Sequence, residues 1–337
     1  MAINEIKRNS GFIKVLASQA AGRAVNPQDA DEAAQIVAEL LADDTKENNK
    51  LIAQTIAYAV QELQSGDLDF LGNVADIKNI GYGDKAMFNV KLGGVKAYIQ
   101  AKGSTTARSY VASKQVAVET EEISARPAIN IVDLRAGRVN IAELIRDANR
   151  EMTTQKLQKI EAVLHAALQG IGTSPWYAHG TSIVKATLDA QITYFRRLGP
   201  VTLLGDLAAV SQLAGITGMV MNDGATNPSI QRSPAMVDEN NANGFIGMYN
   251  GCKVVALQNG YRDDAVTPIL NPNWIYIIPG GATGDARNLK IANEGGVNSL
   301  ASQNIDDMTY EVRLDEWFGA GFVSGKKPTI GAYYIGA

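Results

Sequence analysis

The feature that most constrains this chain is a stretch of helical periodicity that lasts about thirty residues, from position 140 to position 170. Asn140 can cap its start, Glu143 stands three residues further on, and Gly170 ends it. At about 1.5 Å per residue it forms a rod of roughly 45 Å, more than twice the mean length of a globular helix. Its apolar residues stay on one side: Ile141, Leu144, Ile145, Ala148, Met152, Leu157, Ile160, Val163, Leu164, Ala167 and Leu168. The sequence therefore predicts one unusually long helix, which forms a stiff bar.

Two amphipathic helices are predicted ahead of this bar. Residues 1–25 mix charge, Ser and Ala without a firm period and are expected to form a terminal arm. The first helix begins at Pro27, a residue suited to the first helical turn. The second runs from about Lys46 to Leu63, with Gly66 as its stop signal. Both helices carry an acidic polar face.

Residues 80–126 predict a long β-hairpin that is polar on both faces. Residues 85–91 alternate between polar and apolar, Gly93-Gly94 can make a tight turn, and residues 95–100 alternate again. A hairpin of this kind buries little of its own surface and is marginally stable alone. It therefore needs another surface to lie on.

A compact α/β segment is predicted at residues 182–305, and strands return at the end of the chain. The segment has predicted helices at 182–198 and 205–214, strands at 201–204, 252–257 and 274–278, and a long Asn/Gly-rich loop at 222–250. The final predicted strands are 308–314, 319–323 and 332–335.

Composition narrows the class of protein. The net charge of −4 and the isoelectric point near 5.4 argue against a protein dedicated to reading DNA or RNA. The single cysteine, Cys252, excludes an internal disulfide, and its place at the start of a strand predicts an inert core thiol. The sequence has neither a secretory signal nor an apolar run of membrane-spanning length. These features predict a soluble protein of intracellular origin.

Reactive side chains do not converge on a recognisable motif. Neither His165 nor His179 has a His or Cys at metal-ligand spacing, and His165 is expected to be a packed helix residue. Residues 320–327 resemble a degenerate phosphate loop, but Lys327 replaces the hydroxyl residue and Pro328 prevents a following helix. Pairs of acidic residues that are neighbours in the sequence are expected to be exposed to solvent and to take no part in acid–base chemistry. The sequence therefore predicts no catalytic residue, no metal ion and no cofactor.

Basic residues cluster on the predicted hairpin and beside it: Lys91, Lys96, Lys102 and Arg108. They can protect a sheet edge from pairing with other strands. They can equally meet an acidic helix face on another copy of the chain, which includes Asp31, Glu32 and Glu39. Both interpretations stay open at this stage.

The order of these elements is distinctive: an arm, a polar hairpin, one very long helix, an α/β segment and a β return. Particular runs carry a likeness to a known family: residues 123–130 (Ile-Ser-Ala-Arg-Pro-Ala-Ile-Asn), 134–138 (Leu-Arg-Ala-Gly-Arg), 139–146 (Val-Asn-Ile-Ala-Glu-Leu-Ile-Arg), Glu151-Met152, and 244–255 (Gly-Phe-Ile-Gly-Met-Tyr-Asn-Gly-Cys-Lys-Val-Val). In these runs and in its order of elements, the chain resembles the major capsid protein of tailed bacteriophages, whose fold is of the Hong Kong ninety-seven phage type.

The resemblance implies an α+β phage major capsid fold in four parts. These are a helical N-terminal arm at 1–72, an extended E-loop hairpin at 73–126, a peripheral P-domain at 127–180 and 306–337 around a spine helix at 140–170, and an axial A-domain at 181–305.

The resemblance also implies a structural, non-enzymatic role. Copies of the chain would assemble through hexamers and pentamers into an icosahedral head shell that encloses double-stranded DNA. The implied partners are a scaffolding protein, a portal and, non-specifically, the packaged DNA, with no membrane. Assembly in the host cytoplasm would leave the protein in the virion. The expected intersubunit contact residues are Gly93, Gly94, Lys96, Lys102, Arg108 and Arg126.

Two other classes of protein compete with this interpretation. An encapsulin-type nanocompartment shell shares the fold, but it usually has a shorter chain, and the long N-terminal helical arm favours a phage. An α/β enzyme built on residues 182–305 would need convergent polar side chains, which the sequence does not offer.

Overall fold

Two large β-sheets, two two-stranded sheets, one long helix, a layer of N-terminal helices and several short helices make up the described part of this computed structural model. The structure describes residues 10–42, 45–93, 108–109, 112–130, 132–133, 141–172, 174–216, 219–221, 229–231, 234–257, 259–262, 265–281, 286–304, 308–324 and 328–336. The helices are α1 (Ser10–Ala20), α2 (Pro27–Ala42), α3 (Lys46–Asp67), α4 (Leu71–Val74), α5 (Ile141–Ile171), α6 (Lys185–Arg196), α7 (Leu207–Val210), α8 (Leu213–Ile216) and α9 (Pro234–Asn243). The strands are β1 (Ala75–Ile80), β2 (Ala86–Lys91), β3 (Ser113–Val118), β4 (Glu121–Ala125), β5 (Ala128–Asn130), β6 (Tyr177–Gly180), β7 (Val201–Asp206), β8 (Met219–Met221), β9 (Ser229–Gln231), β10 (Met248–Tyr249), β11 (Cys252–Leu257), β12 (Trp274–Pro279), β13 (Leu289–Asn304), β14 (Thr309–Phe322) and β15 (Gly331–Ile335).

The first sheet is built on the long antiparallel pair of β13 and β14. Its order is β1-β13-β14-β4, and β5 also pairs with β14. Strand β1 runs parallel to β13, with Ala75 opposite Leu289 and Ile80 opposite Glu294. The pairing of β13 with β14 shifts register between Glu294 and Asn298, which marks a bulge in β13.

Helix α5 packs on this sheet and on the N-terminal helices. Ile145 and Met152 of α5 share one core with Ile56 of α3 and with Tyr310 and Leu314 of β14, and all five side chains are buried. This helix confirms the bar predicted at 140–170. The apolar residues along one side of α5 determine how the helix packs, because their burial requires a layer of other elements on that side.

A buried ion pair crosses the same core. Lys156 of α5 lies 2.6 Å from Glu316 of β14 and donates to the side-chain oxygen of Gln64 of α3 at 2.9 Å. Burial lowers the pKa of Lys156, and the neighbouring Glu316 carboxylate acts in the opposite direction. A buried charge is tolerated only where its partners are in place, so this cluster fixes three elements relative to one another.

The second sheet has the order β10-β11-β7-β12-β15-β6 and mixes parallel and antiparallel pairs. Its core includes Phe195 of α6, Leu203 of β7 and Ile275 of β12, each fully buried. Cys252 is also fully buried at the start of β11, as the sequence predicts, and burial raises the pKa of its thiol.

His165 of α5 connects the long helix to the second sheet. Its ring stacks on Trp274 with a centroid distance of 3.7 Å, and its Nε2 lies 2.9 Å from the Tyr276 hydroxyl. Burial lowers the pKa of His165 to about 4, so the imidazole is neutral at pH 7. The expected packed helix residue is confirmed.

Several predicted boundaries are wrong at the N-terminal end. Residues 10–20 of the expected arm form α1, which buries Phe12 and Leu16 against α3 and α5. Its Ala and Ser content hides the period, because small residues weaken the contrast between its two faces. Helix α3 continues past Gly66, and the N–H of Leu68 donates to the Gln64 carbonyl to close its last turn.

The structure also corrects the predictions for the second half. The helix predicted at 205–214 is wrong, because β7 extends to Asp206, whose side chain caps the short α7. The loop predicted at 222–250 contains α9, and the two strands predicted within 308–323 are one strand, β14. Strand β13 is missing from the sequence prediction, since its Asn, Ser and Gly residues do not alternate with apolar ones.

Sheet membership also departs from the boundaries implied by the resemblance. Strand β13, within the range 181–305, pairs with β14 in the first sheet. Strand β15, within the range 306–337, pairs with β12 and β6 in the second sheet. In the described part of the chain, no helix is long and apolar enough to cross a lipid bilayer.

Leu144→Asp and Ile160→Asp are each expected to prevent folding. Each change places an unpaired carboxylate on the buried side of α5, at a cost of several kcal/mol. Circular dichroism and the soluble yield measure the outcome, with Gln155→Asp on the exposed side of α5 as the matched control. Two soluble, cooperatively folded variants would contradict the described packing of α5.

Acid is expected to destabilise the protein through His165. The pKa of His165 is about 4 in the folded state and 6.5 in the unfolded state, so the unfolded chain binds the proton more tightly. The contribution of neutral His165 to the unfolding free energy is therefore complete above pH 6.5 and is lost as pH falls toward 4. We expect His165→Gln to reduce the pH dependence of the unfolding free energy across this window by about 1–2 kcal/mol, allowing for solvent screening. Urea unfolding at several pH values measures it, with His179→Gln as control. Identical pH profiles for the parent and His165→Gln would disprove the effect.

Candidate functional site

The described part of the hairpin consists of β2 and β3 and their continuation. β2 pairs with β3 from Ala86 opposite Val118 to Lys91 opposite Ser113. Beyond the strands, the N–H groups of Leu92 and Gly93 both donate to the Ala112 carbonyl, at 2.8 and 3.2 Å. The hydrogen bonding between the two arms therefore reaches Gly93, and residues 94–107 lie outside the described residues.

Strand β2 pairs with β3, at residues 113–118. The pairing expected between residues 85–91 and 95–100, through a turn at Gly93-Gly94, involves residues 94–100, which lie outside the described residues. The observed register sets Phe88 opposite Val116 and brings the apolar residues of both strands to one face.

The base of the hairpin, where β2 and β3 meet the first sheet, is apolar on that face. Ala86, Phe88 and Val118 are buried together with Ala292 of β13. The ammonium of Lys290 lies 5.5 Å from the centre of the Phe88 ring. The expectation of a hairpin polar on both faces is therefore wrong for its base, which is anchored on its own subunit.

The structure describes three of the six predicted contact residues. Gly93 lies on the outgoing arm, Arg108 is exposed, and Arg126 lies between β4 and β5. The other three, Gly94, Lys96 and Lys102, lie outside the described residues. In the acidic face proposed as their partner, Asp31 and Glu32 of α2 are exposed.

Arg126 already has a partner within the subunit. Its Nε donates to the Glu311 carboxylate at 2.8 Å, and its Nη2 pairs with the same carboxylate oxygen. The arginine side chain is 68% exposed and that of Glu311 is 15% exposed. The pair ties the connection between β4 and β5 to β14 and leaves one side of the guanidinium open to solvent.

Glu294 of β13 joins the two arms of the hairpin at its base. One carboxylate oxygen accepts from the Gly83 N–H at 2.7 Å, just before the first arm. The other accepts from the Thr120 hydroxyl at 2.5 Å, just after the second arm. These hydrogen bonds lower the pKa of Glu294, because they favour its charged form.

Tyr82 fills the bulge of β13 beside this carboxylate. Its hydroxyl lies 2.9 Å from Asn298 Oδ1 and 3.1 Å from the Gly296 carbonyl, and it accepts from the Gly296 N–H at 3.2 Å. Its ring meets Trp317 edge to face at 5.4 Å. Sequence reasoning missed Tyr82 and Glu294. The only sequence signal was a pair of glycines next to each residue. Gly81 and Gly83 flank Tyr82, and Gly295 and Gly296 follow Glu294.

The site is suited to holding and orienting a projecting hairpin. Among the residues that the structure describes, no group of three or more His, Cys, Asp or Glu side chains could hold a metal ion. The polar side chains at the base bond to backbone and to one another within the subunit. The arrangement fixes the base of the hairpin to the first sheet.

Comparison of the fold with solved structures gives consistent similarities, each with a TM-score of 0.50. The capsid structure of the Cyanophage P-SCSP1u is 10% identical, over 78% of this chain and 87% of that chain. The head structure of Helicobacter pylori bacteriophage KHP40 is 10% identical, over 79% and 88%. A structure from Mycobacterium phage Adephagia is 13% identical, over 77% and 88%. At these identities the likeness shows the fold alone, which is the predicted α+β fold of the Hong Kong ninety-seven phage type.

Comparison of the sequence shows the family. No curated protein sequence matches this chain. The family described as "SPbeta prophage-derived putative capsid protein YonB" matches residues 4–333. The predicted resemblance to a phage capsid protein is thereby confirmed. Since this match spans nearly the whole sequence, the chain belongs to the YonB family of prophage-derived capsid proteins.

Proposed function

We propose that this protein is the major subunit of a tailed-phage head. Copies associate through hexamers and pentamers into an icosahedral shell that encloses double-stranded DNA. The observation that carries the proposal is the match to a capsid family over residues 4–333, and a hairpin whose base is anchored on the first sheet is consistent with it. A projecting hairpin buries little of its own surface and gains stability by lying across a neighbouring subunit.

We propose the following domain assignment for the subunit. The N-terminal arm is 1–72 and the E-loop is 73–126. The P-domain, proposed from the resemblance as 127–180 and 306–337, is extended by β13, because β13 pairs with β14. The A-domain, proposed as 181–305, is extended by β15 and β6, because they belong to the second sheet.

The proposed partners are a scaffolding protein, a portal and the packaged DNA, and assembly takes place in the host cytoplasm. A net charge of −4 suits the wall of a DNA container, because many phosphate contacts from a basic wall would bind the packed DNA tightly. Contact with DNA is therefore proposed to be weak and non-specific. The role is structural, without catalysis.

The encapsulin alternative predicts a different content for the same kind of shell. The family description, with its prophage origin, favours the phage head. Negative-stain electron microscopy of the protein, alone and with the products of neighbouring genes, separates the alternatives. Closed shells that depend on DNA-packaging partners support the proposal, and shells that hold a protein cargo support an encapsulin. A stable monomer with small-molecule turnover would favour an enzyme.

Deletion of residues 95–106 is expected to leave a folded subunit that cannot build shells. The buried base of the hairpin keeps its contacts, whereas the outer segment proposed to reach a neighbour is removed. We expect an unchanged melting temperature and no closed shells. Sedimentation and electron microscopy measure both. Normal shells from this variant would disprove the E-loop assignment.

Charge reversal on the hairpin tests whether its basic residues contact another copy. The triple change Lys96→Glu, Lys102→Glu and Arg108→Glu is expected to lower shell yield, most strongly at low salt, where exposed charges are least screened. The control is Lys50→Glu on α3, also an exposed lysine.

Recovery of shell assembly by a second set of substitutions would identify the surface that the basic residues of the hairpin contact. Asp31→Lys with Glu32→Lys on α2 is expected to recover part of the shell yield of the triple variant. If the triple variant instead assembles normally but aggregates through its strands, the basic residues protect a sheet edge and the contact proposal is wrong.

A further inference from the structure

The bulge of β13 lies where the hairpin leaves the first sheet. Between Glu294 and Asn298, β13 advances four residues, while β14 advances only two, from Trp317 to Asp315. A bulge of this kind bends its strand and turns the side chains beside it in a new direction. Strand β1, which leads into the hairpin, ends opposite Glu294, at the first residue of the bulge.

The bulge accepts the ring of Tyr82, and glycine makes this possible. Gly295 has a φ of +69°, and a Cβ there would overlap the Tyr82 ring. Any other residue at 295 would displace the ring and also strain the backbone. The hydroxyl then bonds within the bulge, to Gly296 and Asn298.

Burial does not explain this arrangement of Tyr82. The residue remains 55% exposed, so the hydrophobic gain from its placement is small. The contacts instead fix the orientation of the Tyr82 side chain. Trp317 restrains the ring edge to face, and the hydrogen bonds to Gly296 and Asn298 restrain the hydroxyl. Tyr82 stands four residues before β2, so its direction sets the direction of the first arm.

The second arm is held at the same place by Glu294 and by Gly319. The Glu294 carboxylate bonds Thr120 as well as Gly83, and these two residues bracket the hairpin in sequence. A Cβ on Gly319 of β14 would overlap the Glu119 carbonyl, so the chain leaving the second arm lies directly on β14. Both ends of the hairpin are therefore fixed to the two central strands of the first sheet.

We propose that Tyr82, Thr120, Glu294, Gly295 and Asn298 form a socket that sets the angle at which the hairpin leaves the subunit. They are positioning residues for assembly. The hairpin itself makes the contact with a neighbouring copy, and the socket determines where that copy must lie. This inference rests on the proposed function for its consequence in assembly, but the direction of the hairpin is a property of the isolated subunit.

The test measures hairpin direction in the full-length subunit before assembly. Spin labels at Ser113→Cys on β3 and Gln155→Cys on α5 report the distance from hairpin to body. The one native cysteine, Cys252, is fully buried. The socket variants are the double change Tyr82→Phe with Glu294→Gln, which removes the Tyr82 hydroxyl and the charge of the Glu294 acceptor, and Gly295→Ala, which obstructs the ring. The matched control is Tyr58→Phe with Glu151→Gln, an exposed pair on α3 and α5.

We expect both socket variants to fold cooperatively and to broaden or shift the distance distribution, and the control to keep the parental distribution. In the double variant, amide exchange at Gly83 is expected to quicken about tenfold, because its acceptor no longer carries a charge. An unchanged distribution in both socket variants overturns the proposal, and so does an equal change in the control.

Assembly of the same variants connects the socket to the shell. We expect the socket variants to give particles of altered diameter or open sheets of subunits, whereas deletion of 95–106 gives no shells. Normal shells from the deletion variant would reject the E-loop assignment, while the distance measurement would still decide the socket. Normal shells from socket variants with an altered hairpin direction would overturn the role of the socket in assembly.

Discussion

The packing of one apolar stripe along α5 is the constraint on which the rest of this structure depends. A helix of 31 residues with buried positions along its length needs a partner layer on that side over its whole length. The first sheet and the N-terminal helices supply most of it, and the second sheet covers its C-terminal end around Leu168. Lys156 can be buried because Glu316 and Gln64 reach it from the first two layers. Loss of any one layer would expose the stripe and leave a buried charge without its partners.

The subunit treats the two ends of its hairpin in opposite ways. The base is fixed by apolar burial around Phe88 and by the carboxylate of Glu294. The outer part is proposed to find its partner on a neighbouring copy. A stiff base allows a small set of contacts far from the body to specify geometry, since an error in angle grows with distance. This is the requirement of a shell, whose curvature is set by angles between subunits.

Much of this architecture could be predicted, because it depends on the periodicity of apolar residues and on the order of elements along the chain. The long helix was accessible from its apolar spacing, and so were β7, β11 and β12, which are short apolar runs. Strand β13 was not, because Asn, Ser and Gly residues within it pair by backbone with β14 and carry little apolar signal. The arm at 10–20 failed for a related reason, since its small residues gain their burial from tertiary contacts. The socket was beyond prediction, because it joins residues 174 to 216 positions apart and depends on a bulge that only the strand register reveals.

Two tryptophans lie at the two places where parts of this subunit meet. Trp274 stacks on His165 between α5 and the second sheet, and Trp317 meets Tyr82 at the base of the hairpin. Indole emission responds to the polarity and to the stacked neighbours of the ring, so each tryptophan is an intrinsic optical probe of one of these contacts. If subunits rotate or bend their parts while a shell closes or expands, the change is recorded in the fluorescence of the unlabelled protein. Replacing one tryptophan at a time would assign the signal to the second sheet or to the hairpin.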